Sequence, residues 1–213
     1  MLLRPLAAQL RDRPLVLVPT GALQSIPWSV LPWCLGCPVT VSPSAALWNR
    51  AASRPGPEQG AEVVVVAGPG LPGALTEAAS IAKMYADSVL LLGDDAISSC
   101  LTAHMDSAAM LHLAAHGQVR SDNPLFSSLK LADGPLTVYE LDRLARAPHH
   151  VVLSACDTGQ SQTVAGEEIL GFGAAMLGGG TATPVAPVAP VAAVSDLATV
   201  PLMVTYHRGR RDR

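Results

Sequence analysis

The sequence predicts an α/β fold with a mostly parallel sheet covered by helices on both faces. Short runs of Val, Leu and Ala, of which Val63-Val64-Val65-Val66 is the clearest, are continuous rather than alternating, as is typical of strands buried on both sides. Helix-like segments separate these runs in a strand-helix-strand rhythm. Hydrophobic residues make up 49% of the 213 residues and charged residues 15%. This composition fits one sizeable core and argues against disorder.

The predicted elements follow in chain order. A helix over 2–11 and a strand over 14–19 precede a proline-rich loop, a strand over 39–41, a helix over 43–50 and a solvent loop over 53–60. A strand over 62–67, a helix over 74–86, a strand over 88–92, a helix from 93 to about 104 and a strand over 110–117 come next. A half-exposed hairpin element over 124–131, a helix over 137–146 and a strand over 150–156 follow. The chain closes with a helix over 166–177, an edge strand or loop over 184–192 and a helix from 195 to about 207. We expect a single domain over 1–213 with a basic tail at 208–213.

Charge and composition exclude several classes of function. The net charge is −3 and aromatic residues make up 4%, so the chain has neither the basic field nor the stacking platforms of a nucleic-acid binder. We interpret the terminal arginines as a solvated run. The start lacks the apolar run of a signal peptide, and the apolar stretch 182–204 contains four prolines and Asp196, which argues against a spanning helix. We therefore expect a cytoplasmic protein with no nucleic-acid or membrane partner.

Two segments resemble parts of cofactor or metal sites but lack other residues that such sites need. Cys34 and Cys37 form a lone CxxC, which is either a redox pair, half of a zinc site, or two buried small residues. We favour burial, because no second pair with ligand spacing lies nearby. The segment 68–73 (GPGLPG) resembles a phosphate cradle, but Pro69 and Pro72 remove amide donors and no Walker lysine follows. We therefore expect no metal and no cofactor, and keep a nucleotide site at 68–73 as an alternative.

Two apolar strands end on residues with reactive side chains. The run 110–117 finishes on His116 and Gly117, and the run 150–156 finishes on Cys156. If the two are neighbouring parallel strands, His116 and Cys156 emerge at one edge of the sheet, where open α/β folds have their sites. A thiol with a histidine beside it is a candidate nucleophile with its base. The backbone amides of Gly117 and Cys156 are then candidates for an oxyanion hole.

The other histidines of this region have simpler interpretations. His112 shares a strand face with His116, but no further metal ligand accompanies it, so we expect a hydrogen-bonded core histidine. His149 and His150 precede a strand, and we expect them to be solvated in a loop.

Several segments together resemble the CHAT domain, a caspase-like and separase-like cysteine peptidase family. The resemblance lies in HLAAHG at 112–117, NPLFSSLKLADG at 123–134, LTVYEL at 136–141, VVLSACDTG at 151–159 and GEEILGF at 166–172. It extends to VLVPTGALQSIPW at 16–28 and LPGALTEA at 71–78. It implies a three-layer α/β/α caspase-like sandwich, in which His116 is the general base and Cys156 the nucleophile of peptide-bond hydrolysis through an acyl-enzyme.

The resemblance also suggests a specificity pocket and partners. Asp157 and Asp196 are candidates to bind a basic side chain before the scissile bond, although either can be a turn or helix-cap aspartate, and we favour that role for Asp157. Where many members have a Leu-Trp-Pro-Val-Asp-Asp-like segment, this chain has VAAVSD at 191–196, without the tryptophan. Members usually follow a helical-repeat region, so we expect either an N-terminally truncated copy or one that a separate regulatory protein controls. Besides a protein or peptide substrate, the alternative is a catalytically weak scaffold module with the same fold.

Overall fold

The computed structural model describes most of the chain. It covers residues 4–6, 10, 13–21, 23, 26, 28, 31–57, 60–118, 120, 123–143, 147–156, 181, 183–185 and 196–211, with the backbone alone at 4, 124, 142, 155, 156, 183–185 and 196. The strands are β1 (Leu15–Leu17), β2 (Val39–Val41), β3 (Val63–Ala67), β4 (Ser88–Leu91), β5 (Met110–Gln118), β6 (Ser128–Leu131), β7 (Gly134–Thr137), β8 (His150–Cys156) and β9 (Thr183–Val185). The helices are α1 (Ala45–Ala52), α2 (Pro72–Ala82), α3 (Ser98–Met105), α4 (Val138–Asp142) and α5 (Asp196–Arg211).

A mixed sheet forms the centre of the molecule, which confirms the predicted α/β class. Its described strands β4, β3, β5, β8 and β9 are neighbours in that order and all pair in parallel. Beyond the end of β3, the last two residues of β5 pair instead with β6, and β6 and β7 form an antiparallel hairpin. Strands β1 and β2 form a separate parallel pair.

Helices bury both faces of this sheet because its strands are apolar on both sides. On one face, Val64, Leu111 and Leu113 pack with Leu101 and Met105 of α3. On the other, Val65, Met110 and Val152 pack with Ile81 of α2 and Met203 of α5. Burying one such aliphatic side chain contributes about 1.5–3 kcal/mol. The continuous Val-rich runs are thus explained by burial on both faces.

Some predicted elements have different bounds in the structure. In place of one helix from 93, Gly93–Asp95 is a 3₁₀ turn and α3 begins at Ser98, where the Asp133 carboxylate accepts from the Ser98 amide at 3.0 Å. Because Asp133 lies in the turn between β6 and β7, a distant part of the chain determines where this helix starts. The predicted hairpin element is split between a 3₁₀ turn (Pro124–Phe126) and β6.

The two ends of the chain also differ from the prediction. In the region predicted as a helix over 2–11, Arg4–Leu6 is a 3₁₀ turn. Helix α5 continues to Arg211, where its basic side chains lie at the favourable, negative end of the helix dipole. The predicted helix over 166–177 lies outside the described residues. None of the helices in the described ranges is long and apolar enough to cross a bilayer.

Candidate functional site

Strands β5 and β8 bring the two predicted reactive residues to one edge of the sheet. They pair in parallel without interruption, from Met110 with His150 up to His116 with Cys156. Neighbouring strands lie about 4.8 Å apart, so the backbones of His116 and Cys156 are direct neighbours at the carboxyl edge. This is the edge at which open α/β sheets bind ligands.

A glycine of the loop after β3 lies against the His116 ring. A Cβ added to Gly70 would be 3.7 Å from His116 Nε2 and 3.9 Å from its Cδ2. Gly70 has φ +81°, a conformation that disfavours side chains. The imidazole is only partly buried. The loop therefore forms one wall beside His116 and leaves room next to its ring.

Gly68 lets the β6–β7 hairpin cross the end of β3. Its amide donates to the Ala114 carbonyl at 2.8 Å, and an added Cβ would lie 2.6 Å from the Lys130 carbonyl oxygen and 2.8 Å from Ala115 Cβ. Strand β6 then pairs with Gly117 and Gln118. Gly117 thus lies at the point where β5 changes its partner from β3 to β6, one residue beyond His116.

A comparison with known protein families identifies the family of this chain. The chain matches the CHAT domain over residues 1–212. It belongs to the CHAT domain family. This family is related to the caspase-like cysteine peptidases. A search of curated proteins gave no match.

The remaining predicted site residues of this CHAT domain are less well defined. Asp157 lies outside the described residues. Asp196 is the first residue of α5, and only its backbone is described, as is also the case for Cys156. The structure thus brings together the backbones of His116, Gly117 and Cys156, and it leaves the contribution of the two aspartates as a prediction.

A buried chain of hydrogen bonds lies on the α2 and α5 face of the sheet, below His116. His112 Nε2 is 2.9 Å from Glu77 Oε1, and Thr199 Oγ1 donates to Glu77 Oε2 at 3.0 Å. His207 Nε2 is 3.1 Å from His112 Nδ1, and Tyr85 OH is 3.0 Å from His207 Nδ1. The expectation that His112 is a hydrogen-bonded core histidine is confirmed, whereas its partners were not foreseen.

The prediction that His150 is solvated is wrong. His150 is the first residue of β8 and is 1% exposed, because α5 covers it and the Tyr206 hydroxyl lies 2.6 Å from its Nε2. Burial, then the positive charge of Arg210 and then His149, lower the pKa of His150 to about 3. The predicted strand over 150–156 already begins at His150, but nothing in the local sequence predicts the helix that covers it.

The other thiols of the domain differ from Cys156 in location. Cys34 is buried, and this burial, followed by the neighbouring Cys37, raises the pKa of its thiol. Cys37 and Cys100 are partly buried; Cys37 precedes β2, and Cys100 lies in the first turn of α3, on the sheet face opposite to α2 and α5. Among the described residues, no three His, Cys, Asp or Glu side chains are grouped as metal ligands would be.

Proposed function

We propose that this CHAT domain is a cysteine endopeptidase in which Cys156 is the nucleophile and His116 the general base. The observation that supports this is the register of β5 and β8, which pairs His116 with Cys156 at the carboxyl edge. By the alternation of strands, positions 116 and 156 belong to the same sheet face. On that face, Gly70 leaves space beside the imidazole.

The proposed reaction needs no group beyond these residues and water. The Cys156 thiol gives its proton to His116, and the thiolate attacks the carbonyl carbon of the scissile bond. The Gly117 and Cys156 amides donate to the resulting oxyanion. The intermediate expels the amine, which takes the proton from His116, and an acyl-enzyme remains. A water molecule then loses a proton to His116 and attacks the thioester carbon; the C–S bond breaks, the carboxylic acid product leaves, and His116 returns the proton to the Cys156 sulfur.

The three-layer caspase-like sandwich is part of this proposal. Helix α3 on one face of the sheet and helices α2 and α5 on the other support such an arrangement. A reducing cytoplasm suits a protein that depends on a free thiol. Asp196, at the start of α5, and Asp157 remain candidates to bind a basic side chain of the protein or peptide substrate. We keep a regulatory partner, such as a helical-repeat region, as the candidate source of control.

Site-resolved alkylation tests the pairing of thiol and imidazole. A histidine-paired thiol has a pKa of about 3.5–7.5 compared with about 8.5 for a free one. At pH 6 a thiol of pKa about 6 has roughly 150 times more thiolate than a free thiol, and the lower nucleophilicity of its thiolate reduces this advantage to about tenfold. We therefore expect iodoacetamide to label Cys156 at pH 6 about ten times faster than Cys37 and Cys100, and we expect His116→Ala to remove this difference.

A peptide-library digest tests the reaction itself. We expect cleavage by the natural chain and none by Cys156→Ala, while Cys100→Ala, a thiol on α3, serves as the matched control and keeps cleaving. Equal labelling of Cys156 and the two reference thiols at pH 6, together with an uncleaved library, would contradict the peptidase proposal.

One observation favours the alternative, an interaction module that keeps the fold without efficient catalysis. Leu125, Phe126 and Tyr139 are 48%, 55% and 45% exposed, and the 3₁₀ turn and helix α4 that carry them are in contact. Large exposed apolar groups close together are typical of binding surfaces. A module of this kind would bind a partner through this patch with Cys156→Ala as well as with the natural chain.

A further inference from the structure

Two of the three most buried side chains of helix α5 are polar. Its fully buried described residues, Thr199, Met203 and His207, recur every four positions and form one stripe, with exposures of 6%, 2% and 0%. Residues four apart lie on one face of a helix. Of these three, only Met203 belongs to the apolar cluster of the α2 face. The stripe that faces the core therefore begins and ends in hydrogen bonds.

Those bonds form one continuous chain, which we name the buried chain: Thr199, Glu77, His112, His207 and Tyr85. It connects α5 with α2 through Glu77, with β5 through His112 and with the segment after α2 through Tyr85. All four contacts lie between 2.9 and 3.1 Å. Three of its members, Glu77, His112 and His207, are at most 1% exposed.

The number of protons in the buried chain decides whether its contacts can form. With Glu77 ionised and both imidazoles neutral, Tyr85 donates to His207, His207 donates to His112, and His112 donates to Glu77. One added proton, on either imidazole, still leaves every contact with a donor and an acceptor, but on His207 it creates a buried charge whose bonded partners are Tyr85 and His112 and not a carboxylate. A second proton places two N–H groups opposite each other across the 3.1 Å contact between His207 and His112.

In the part of the chain that the structure describes, no carboxylate is bonded to His207 to neutralise a proton there. The described titratable or charged groups around His207 are Tyr85 after α2, His112 on β5, His150 on β8, and Tyr206, Arg210 and Arg211 on α5. Glu77 is already bonded to His112 and Thr199. Burial, followed by His112, His150 and Arg210, lowers the pKa of His207 to about 3.

We propose that the buried chain is an acid-sensitive latch, which holds α5 on the sheet while His207 is neutral and releases the helix when His207 is protonated. A released helix exposes His207 to water, where an imidazole has a pKa of about 6.5. Release also frees His150, since Tyr206 of α5 is bonded to it. Protonation thus favours the released state increasingly as the pH falls below 6.5.

Release would open the molecule beside the carboxyl edge of the sheet. Thr199 near the start of α5 bonds to Glu77, and Arg211 at its end donates to the Met84 carbonyl just after α2, so the two helices run in the same direction. Because α2 begins directly after β3, α5 also begins at the edge that holds His116. The latch goes beyond the proposed peptidase function and does not depend on it.

Hydrogen exchange of the whole chain at pH 7.5 and 5.0, with protection factors corrected for the intrinsic rate at each pH, tests the latch. We expect amides of α5 to be less protected than those of β3 at both pH values. Between the two, we expect α5 protection to fall at least about 30-fold, the factor by which acid favours a freed imidazole of pKa about 6.5. Release of His150 in the same step would raise this to about 900-fold.

Variants separate the titration of His207 from a simple loss of bonds. His207→Gln retains one donor and one acceptor but does not titrate, so the fall in α5 protection should shrink by about 30-fold. Thr199→Val is the matched control. It loses the bond to Glu77 and should therefore lower α5 protection at both pH values, while the fall in protection between pH 7.5 and 5.0 remains. If His207→Gln does not fold, the α5 protection of the natural chain at the two pH values still tests the latch. Unchanged α5 protection between pH 7.5 and 5.0 would overturn the latch, as would α5 and β3 always being equally protected, or an unreduced fall in a folded His207→Gln.

Discussion

Replacing Gly68 by alanine should disturb the domain at the junction between the β3 strand, the β6–β7 hairpin and the candidate site. The added Cβ would be 2.6 Å from the Lys130 carbonyl oxygen and 2.8 Å from Ala115 Cβ. Both neighbours are fixed, one as backbone of β6 and the other as a side chain of β5 that is 0% exposed. Neither can move away by changing a rotamer, so the strands themselves must shift.

The size of this shift sets the expected cost. Ordinary contacts of a Cβ lie beyond about 3.4 Å, so relief requires a displacement of several tenths of an ångström, and overpacking of this kind costs about 1–3 kcal/mol. For a domain of this size, 1 kcal/mol lowers the melting temperature by about 2–4 °C. A central value of about 2 kcal/mol therefore lowers the Tm of Gly68→Ala by about 4–8 °C.

Thermal and urea unfolding measure this cost against a matched glycine. Gly56 lies in the loop before β3, its φ is outside the positive region, and an added Cβ there meets none of the described atoms within 4 Å. Gly56→Ala should thus leave stability unchanged or raise it by about 0.4–1 kcal/mol, since alanine restricts the unfolded chain. Equal stability of the two alanine variants would refute the argument that β6 rests on Gly68.

Two further outcomes follow from the same geometry and from the buried histidines. Gly70→Ala should lower the free energy of unfolding by only about 1–2 kcal/mol, mainly because of the positive φ at this position. It should also slow the alkylation of Cys156 at pH 6, because the added methyl group lies against the His116 ring. Unchanged alkylation in a folded variant would contradict this. Burial lowers the pKa of His150 and of His207 to about 3 in the folded chain, below the unfolded value of about 6.5. Between about pH 3 and 6.5 the unfolded chain therefore binds more protons than the folded chain, and stability falls as the pH drops. From pH 7.5 to 5.0 the loss is about 2 kcal/mol for each histidine, measurable as a lower free energy of unfolding in urea, and a free energy that stays constant would count against their burial as neutral groups.

Local sequence patterns predicted the strands well because burial on both faces leaves a continuous apolar run. The bounds of β2 and β8 agree with the expected ranges, and those of β3, β4 and β5 differ by one residue. The class of fold and the neighbouring tips of β5 and β8 follow from these runs. The predicted start of α3 is wrong, since the Asp133 carboxylate that accepts from the Ser98 amide belongs to a hairpin 35 residues away.

Local sequence patterns do not predict the long-range polar contacts of the structure. Glu77 reads as an ordinary polar helix residue, and its partners His112 and Thr199 are 35 and 122 positions away. The prediction that His150 is solvated fails for the same reason, because the helix that covers it begins 46 positions later. The sequence pattern at 68–73 suggests only a phosphate cradle, whereas in the structure the glycines at 68 and 70 allow the close approach of β6 and of His116.

The surroundings of the six histidines argue for His116 as the base of the candidate site. His112, His150 and His207 are at most 1% exposed and bonded within the α2 and α5 face, so a substrate cannot reach them. His104, on α3, pairs with Glu62. His149 precedes β8 at the amino edge of the sheet. His116 alone among the six combines partial exposure with a place at the carboxyl edge, opposite Cys156 in the register. Since His112 lies four residues earlier on the same strand, roughly 13 Å along it, β5 joins the buried chain that holds α5 to the edge where the proposed chemistry occurs.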